Sequence, residues 1–519
     1  MSTVANTEEN SVAQPAHTYG QILKSSALIG GSSVVNIAVS VVRAKAMAWL
    51  LGPAGVGLVG LYSSILDLTH SIAGMGINRS GVREIAEAAG SGDQRVARTA
   101  AVLRHTSLIL GVLGAILLAV FSRPVSIWTF GTPDFAGTVA VLSLALIFSS
   151  VSDGQAALIQ GMRRIADLAR IGVLAAFFGS ATSLALVYFL REKGVVPSLV
   201  SGAAITLAVS WWYRRKIHMP SPPLTLPQVR DEAGALLKLG SAFMASAVLT
   251  TGAAYAVRII VRDHVGLEAA GLYQAAWALG GMYVGFILQA MGSDFYPRLT
   301  AVATNHGECN RLVNEQAQIS LLLAGPGVIA TLTFAPVVIA IFYSTRFVGA
   351  VEPLRWICLG MTLRVIAWPM GFIVLAKGAR SIFFWTEVAC TVIHVGLAWL
   401  LVPKFGLAGA TMAFFGLYTW HSILIYAIVR RLTGFRWSAA NKQTGLVLLP
   451  LIGFVFGAAL WLPVAAATVV GVIATLWGGV YSLRVLCQLV SLERVPRMVR
   501  DVLDWCRITR RVSYDVTVG

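Results

Sequence analysis

Arg43, Lys45, Asp67 and His70 stand inside two apolar runs that fill residues 34–77, joined at Leu51-Gly52-Pro53-Ala54-Gly55. A charge in the middle of a bilayer costs at least ~2.5–3.5 kcal/mol on insertion scales, so it faces a partner or a watery cavity. Guanidinium groups in such a place suit an anion, because they donate charge-assisted and bidentate hydrogen bonds to phosphate. A carboxylate beside an imidazole suits a proton relay, since burial and mutual pairing move both protonation equilibria.

On a helix, Ser33, Asn36, Ser40 and Arg43 fall on one stripe. Arg43 precedes Gly52 by nine residues, which puts it about 13 Å below the turn at 1.5 Å per residue, too deep for easy snorkelling. Lys45 points to another side of the same wheel and reads as an interfacial cation. Asp67 and His70 are i,i+3 neighbours, a spacing that allows a direct hydrogen bond, either as a relay or as a structural pair. Asp153 shares a stripe with Ser149, Ser152 and Gln160, and Thr251, Tyr255 and Arg258 share another. Arg364 falls in the middle of a further apolar run, and Glu387, Thr391 and His394 lie at i, i+4 and i+7, as a second relay or as partners for an arginine.

These residues need elements that cross a membrane, and the composition supplies them. Mean hydropathy is +0.75, with 57% hydrophobic and 12% charged residues, far from soluble averages. A helix needs about 20 apolar residues to span, and about fourteen such stretches occur, near 26–51, 54–77, 100–121, 136–160, 170–190, 195–213, 239–261, 267–291, 316–343, 351–376, 381–402, 405–429, 444–462 and 464–486. The expected fold class is an all-α polytopic membrane protein. Of the 40 Lys and Arg, about 29 fall on one side when the spans are laid out in order, about 7 on the other and about 4 within, which makes the amino-terminal side cytoplasmic. The polar first ~24 residues carry no basic region ahead of an apolar run and so read as a cytoplasmic tail rather than a signal peptide. Arg494, Arg497, Arg500, Arg507, Arg510 and Arg511 read as a segment lying on anionic lipid.

The chain also repeats itself. Gly52 in its turn matches Gly266 at an offset of 214, Gly131 lies in a segment matching 342–349 at 212, Gly161-Met162-Arg163 matches Gly378-Ala379-Arg380 at 217, and Gly194 matches Gly406 at 212. We therefore expect two six-helix lobes, residues 25–213 and 239–431, around a V-shaped cleft, joined by a basic Pro-rich linker at 214–238. Two extra helices follow at 444–486, with a basic cytoplasmic tail at 487–519. The cytoplasmic stretch 79–87 is expected to form a surface helix with i,i+4 Arg–Glu pairs.

No nucleotide-binding, zinc-protease or serine-hydrolase motif occurs. The five cysteines, Cys309, Cys358, Cys390, Cys487 and Cys506, lack metal-ligand spacing. Neither an enzyme nor a cofactor or metal is expected. The net charge of +17 sits in short loops rather than on one soluble face, which disfavours nucleic acid as a partner.

The run Arg43-Ala44-Lys45 to Leu51-Gly52-Pro53-Ala54-Gly55-Val56-Gly57, the segment Asn78-Arg79-Ser80-Gly81-Val82-Arg83-Glu84 and the turn Gln160-Gly161-Met162-Arg163-Arg164 resemble bacterial polysaccharide repeat-unit flippases of the O-antigen type. These belong with lipid II flippases and multidrug extruders to one exporter superfamily. The resemblance spans about residues 20–435 and implies export of an undecaprenyl-diphosphate-linked oligosaccharide from the inner to the outer leaflet of the cytoplasmic membrane by alternating access. It implies that Arg43, which matches an arginine of the lipid II flippase cavity, binds the diphosphate. Arg258 and Arg364 suit the same anion by charge. Asn36, Asp67, His70, Asp153, Tyr255, Glu387 and His394 would line the cavity or couple an ion, H⁺ or Na⁺. The acidic residue that those relatives carry six positions after the glycine is Leu58 here, so Asp67 does not inherit its role by position. Besides the lipid-linked oligosaccharide and the bilayer, the implied partners are a polysaccharide polymerase and chain-length machinery. The alternatives are a multidrug cation exporter and an O-antigen polymerase or ligase; the latter resembles chains with a long outward loop, whereas the outward loops here run to about a dozen residues.

Overall fold

The computed structural model of the protein describes residues 14–217 and 226–489; the basic carboxy-terminal run, Cys506, most of the Pro-rich linker segment and the first residues of the chain lie outside them. The described residues are helical almost throughout, and ten helices among them are apolar and long enough to cross a membrane. This is a multi-pass membrane protein.

The chain divides into two compact units, one of residues 1–271 with 342–344 and one of the remainder. The first holds α1 (Gln14–Ala73), α2 (Ile77–Ala89), α3 (Asp93–Val120), α4 (Ser122–Phe130), α5 (Ala136–Leu142), α6 (Leu144–Gly161), α7 (Ile165–Leu190), α8 (Val195–Arg215) and α9 (Leu226–Val265). The second holds most of α10 (Leu267–Ala290), then α11 (Tyr296–Ala301), α12 (His306–Phe342), α13 (Val351–Ala376), α14 (Arg380–Thr433), α15 (Ala439–Trp461) and α16 (Val464–Leu489). Helix α9 follows the linker yet packs on α1, α2 and α3 of the first unit.

Helix α1 is broken at Gly52, whose φ of 66° lies in the left-handed region that a residue without Cβ reaches at little cost. Pro53 after it has no N–H to continue the ladder, so the break falls at the expected turn. Helix α2 is the surface helix foreseen at 79–87. Ile77, Gly81, Ile85 and Ala88 are buried at helical spacing against α3 and α6, while exposed Arg83 donates from Nε to Glu87 at 2.7 Å. Elsewhere large apolar side chains point outward, as lipid allows, and exposed Trp49, Trp128 and Trp461 suit the headgroup level.

The duplication is visible in the backbone, with a corrected register. The amides of Met162, Arg163, Arg164 and Ile165 bond to Leu158, Gln160, Ile159 and Arg163, and those of Lys377, Gly378, Ala379 and Arg380 repeat the pattern to Ile373, Leu375, Val374 and Gly378. That is an offset of 215, not 217. Likewise Gly406 (φ 57°, ψ −138°) shares its conformation with Arg191 (φ 52°, ψ −130°), and the Cβ-less positions facing the preceding turn are Gly194 and Gly409, so the 212 match was also misaligned. Nearer the start of each half the glycine turns at Gly52 and Gly266 lie 214 apart, so Arg43 and Arg258 stay one residue out of register.

Helix α15 joins the rest of the second unit through polar contacts. Asn314 of α12 accepts from the Ser438 amide at 2.8 Å, and Asn441 of α15 donates to the Asn314 carbonyl at 2.7 Å. Pro336 leaves the Leu332 carbonyl without its usual i+4 donor, and Pro463 does the same to Ala459 at the end of α15. Arg355 of α13 answers both, from Nε to Leu332 O at 3.3 Å and from Nη1 to Ala459 O at 3.1 Å. An orphaned carbonyl costs about 1–3 kcal/mol when buried. Arg355→Ala should therefore lower the thermal midpoint in detergent, and Pro336→Ala in that background, which restores a donor to Leu332, should recover part of the loss.

Candidate functional site

The polar residues singled out in the sequence gather into two groups, one in each unit. In the first, α1 runs from Gly52 to Ala73 beside α9. Arg258 of α9 donates from Nη1 to Ser64 Oγ at 2.7 Å, and Ser64 in turn donates to Gly60 O. Asp67, one turn along α1, has Arg258 and His70 as its charged neighbours. Thr251 of α9 reaches Ser71 Oγ at 3.5 Å, and Ser71 donates to Asp67 O at 2.7 Å. One seam thus carries a cation, a carboxylate and three hydroxyls between two apolar helices.

The expected hydrogen bond from Asp67 to His70 is absent among the described residues. His70 turns instead to α6, where its Nε2 lies 3.3 Å from Asp153 Oδ2, and Asp153 also accepts from Asn78. Gly74 leaves room for the ring in this position, since a Cβ there would lie 2.7 Å from His70 O and 3.4 Å from its ring. The carboxylate and imidazole chemistry is therefore shared between α1 and α6 rather than along one helix.

Tyr255 and Thr129 of α4 share a hydroxyl hydrogen bond, and Arg262 donates from Nη2 to Trp128 O at 2.8 Å while pairing with Asp263. These contacts tie the end of α9 to α4, so Tyr255 serves packing as well as polarity. Asn36 points toward α7 near Gly172, with its Oδ1 buried and without a partner. Arg43 is exposed and makes no hydrogen bond or ion pair among the described residues.

In the second unit, Arg364 of α13 lies against two aromatic faces, 4.6 Å from the centre of Trp368 and 5.7 Å from that of Tyr418, with Nε buried and unpartnered. Its charged neighbour is Glu387 of α14. His394 is buried beside Phe414 with no partner at Nε2. Cys390, one turn from Glu387, approaches His421 Nδ1 at 3.2 Å. Trp368, Tyr418 and His421 were missed in the sequence; the i,i+4 spacing of Trp368 from Arg364 was the available signal. No group of three or more His, Cys, Asp or Glu among the described residues could hold a metal ion.

The first group can hold an anion at Arg258 and store a proton on the Asp153–His70 pair. The second offers a guanidinium framed by aromatic rings. If His70 and Asp153 act as a pair, His70→Gln, Asp153→Asn and the double substitution should lower transport to similar extents. A coupling term of about 0.5–3 kcal/mol in a double-mutant cycle is expected, whereas additive losses would separate the two residues.

The family described as "Polysaccharide biosynthesis protein" matches residues 46–352. The chain is 22% identical over 402 residues to a protein of Escherichia coli (strain K12) named "Lipid III flippase", covering 76% of this chain and 95% of that protein. It is 25% identical over 298 residues to the "Amylovoran biosynthesis protein AmsL" of Erwinia amylovora, covering 56% of this chain and 75% of that one. Among solved structures, the inward closed conformation of the lipid II flippase MurJ superposes with a TM-score of 0.63 at 12% identity, covering 89% of this chain and 99% of that one. An inward-facing multidrug transporter of the MATE family gives a TM-score of 0.64 at 16% identity, covering 79% of this chain and 99% of that one. With more than half of its length matched, the chain belongs to the polysaccharide biosynthesis protein family.

Proposed function

We propose that the protein is a flippase carrying an undecaprenyl-diphosphate-linked oligosaccharide from the inner to the outer leaflet of the bacterial cytoplasmic membrane by alternating access, with both termini cytoplasmic. The observation that carries this reading is the setting of Arg258, a cation held between apolar helices beside Ser64 and Asp67. Arg364, framed by rings, supports it from the second unit. A diphosphate bears roughly two negative charges, which guanidinium groups bind with charge-assisted hydrogen bonds. The similarity to a lipid III flippase supports a lipid-linked oligosaccharide as cargo.

Ten apolar helices support fourteen crossings when the three broken ones, interrupted at Gly52, Arg191 and Gly406, each cross twice and α10 is added. In this reading the lobes are residues 25–213 and 239–431, the cavity is cleft-like, and α15 and α16 stand outside the repeat. Arg43, Arg258 and Arg364 take the diphosphate; Asn36, Tyr255, Glu387 and His394 line the cavity; Asp67 or the His70–Asp153 pair carries a coupling H⁺ or Na⁺. Moving an anion outward runs with an inside-negative potential, about 2.3 kcal/mol per charge per 100 mV, and the emptied cationic site is drawn back by the same field. A polysaccharide polymerase and its chain-length machinery would take the cargo onward.

The MATE-like fold keeps a multidrug exporter as the second reading, separable by transport of cationic dyes. A knockout should accumulate single lipid-linked units facing the cytoplasm, whereas outward-facing units would indicate a polymerase. Arg43→Ala, Arg258→Ala and Arg364→Ala should each abolish export while the protein stays in the membrane; full surface polysaccharide in an Arg43→Ala strain would sink the reading.

A further inference from the structure

The turn from α7 to α8 carries a cation where both the backbone and the membrane disfavour one, and from its surroundings we infer that Arg191 and Lys193 form a binding site for the phosphate of an outer-leaflet lipid headgroup. The outer placement rests on the cytoplasmic amino terminus of the reading above. Helix α7 has 26 residues, about 39 Å at 1.5 Å per residue, and runs from the ion cluster of Arg164, Asp167 and Arg170 to Leu190. The turn after it therefore stands at the opposite face of the membrane from that cluster. Exposed Trp49, Tyr188 and Phe189 lie beside it in the chain and suit the headgroup layer. The positive-inside bias makes cations scarce at that face, yet this turn places two within three residues.

Arg191 has φ 52° and ψ −130°, a turn conformation that glycine dominates, and Gly406 adopts it in the second copy. Strain of this kind is retained where a side chain is needed, most often at ligand sites. The turn stands on a firm base: a Cβ on buried Gly194 would lie 2.5 Å from Leu186 O, and Val195 and Val196 enter the core with Leu58 and Tyr62. Between this turn and the end of α1 before the Gly52 break lies a cavity of about 490 Å³, lined by Leu50, Leu51, Leu190, Arg191, Glu192 and Lys193. That is the size of a small-molecule site. Arg191 makes one long bond, from Nη1 to Leu50 O at 3.4 Å, and neither Glu192 nor Lys193 spends its side chain on a hydrogen bond or ion pair among the described residues. A guanidinium fork and an ammonium thus remain for a phosphate, which accepts charge-assisted hydrogen bonds from both. The three leucines supply apolar wall for the lipid chain. Glu192, unpaired between the cations, suits a hydroxyl next to the phosphate, which phosphatidylglycerol and a lipid-linked sugar diphosphate both carry.

The test is lipid binding to the detergent-purified full chain by native mass spectrometry, with phosphatidylglycerol in one arm and a polyprenyl diphosphate sugar in the other. Arg191→Gly and Lys193→Gln should each raise the apparent Kd by on the order of ten-fold, the loss of one charge-assisted partner. Arg191→Gly installs the residue that Gly406 already provides, so its thermal midpoint should hold or rise. Arg123→Gln, an exposed cation of α4 on the same side, should leave binding unchanged. Losses confined to the phosphatidylglycerol arm assign the site to the membrane's own lipid, and losses in the diphosphate arm assign it to the cargo headgroup after transport. Binding unchanged in both variants and both arms overturns the inference, as does an equal loss in Arg123→Gln. A lowered midpoint in Arg191→Gly with binding intact makes Arg191 a structural brace and overturns it too. Binding in detergent needs neither transport nor sidedness, so its failure leaves the flippase reading to the Arg258→Ala export test. Labelling of Lys193→Cys by an impermeant maleimide in inverted vesicles alone, with the native cysteines replaced, would overturn the outer placement.

Discussion

Hydrocarbon offers no hydrogen bonds, so every carbonyl, hydroxyl and charge that the helices carry into the membrane must be answered by the protein itself. That constraint orders what is seen here. Prolines that break α12 and end α15 leave carbonyls that one guanidinium, Arg355, collects from two helices. Ser64 accepts from Arg258 Nη1 where a soluble protein would leave that task to water. Asn314 spends its side-chain amide on the loop before α15, and by doing so fixes where α15 begins.

The same rule separates structural polarity from functional polarity. Arg355 spends Nε and Nη1 on backbone carbonyls, and the Asn314 side chain donates to and accepts from backbone groups. Arg364 keeps a buried Nε without a partner and lies against rings, whose faces attract a cation without consuming its hydrogen bonds. Asp153 and His70 sit between these cases, since their pairing changes with a single proton.

Much of the architecture was legible in the residues. Long apolar runs announced an all-helical, multi-pass chain, Gly52-Pro53 gave the break in α1, and the i,i+4 charges of residues 79–87 gave α2. The duplication was legible in outline but not in register, because like letters were matched where like backbone was needed. The left-handed position that is Gly378 in one half is Arg163 in the other, and Gly406 is answered by Arg191. The site was legible by type more than by partner. His70 stood three residues from one carboxylate and eighty-three from another, and only packing of α1 on α6 selects the distant one. Pro336 announced an orphaned carbonyl, but not that Arg355 would answer it.

The duplicated turns carry one more meaning. A left-handed residue with a side chain is strained relative to glycine, yet Arg163 and Arg191 keep the backbone of their counterparts while replacing the residue. Position 153 is an aspartate whose counterpart at 368 is a tryptophan. Copying preserved the path of the chain, and later drift rewrote what hangs from it. The symmetry of the skeleton is thus a record of ancestry, and chemistry able to tell one end of an asymmetric molecule from the other resides in the positions where the two copies no longer agree.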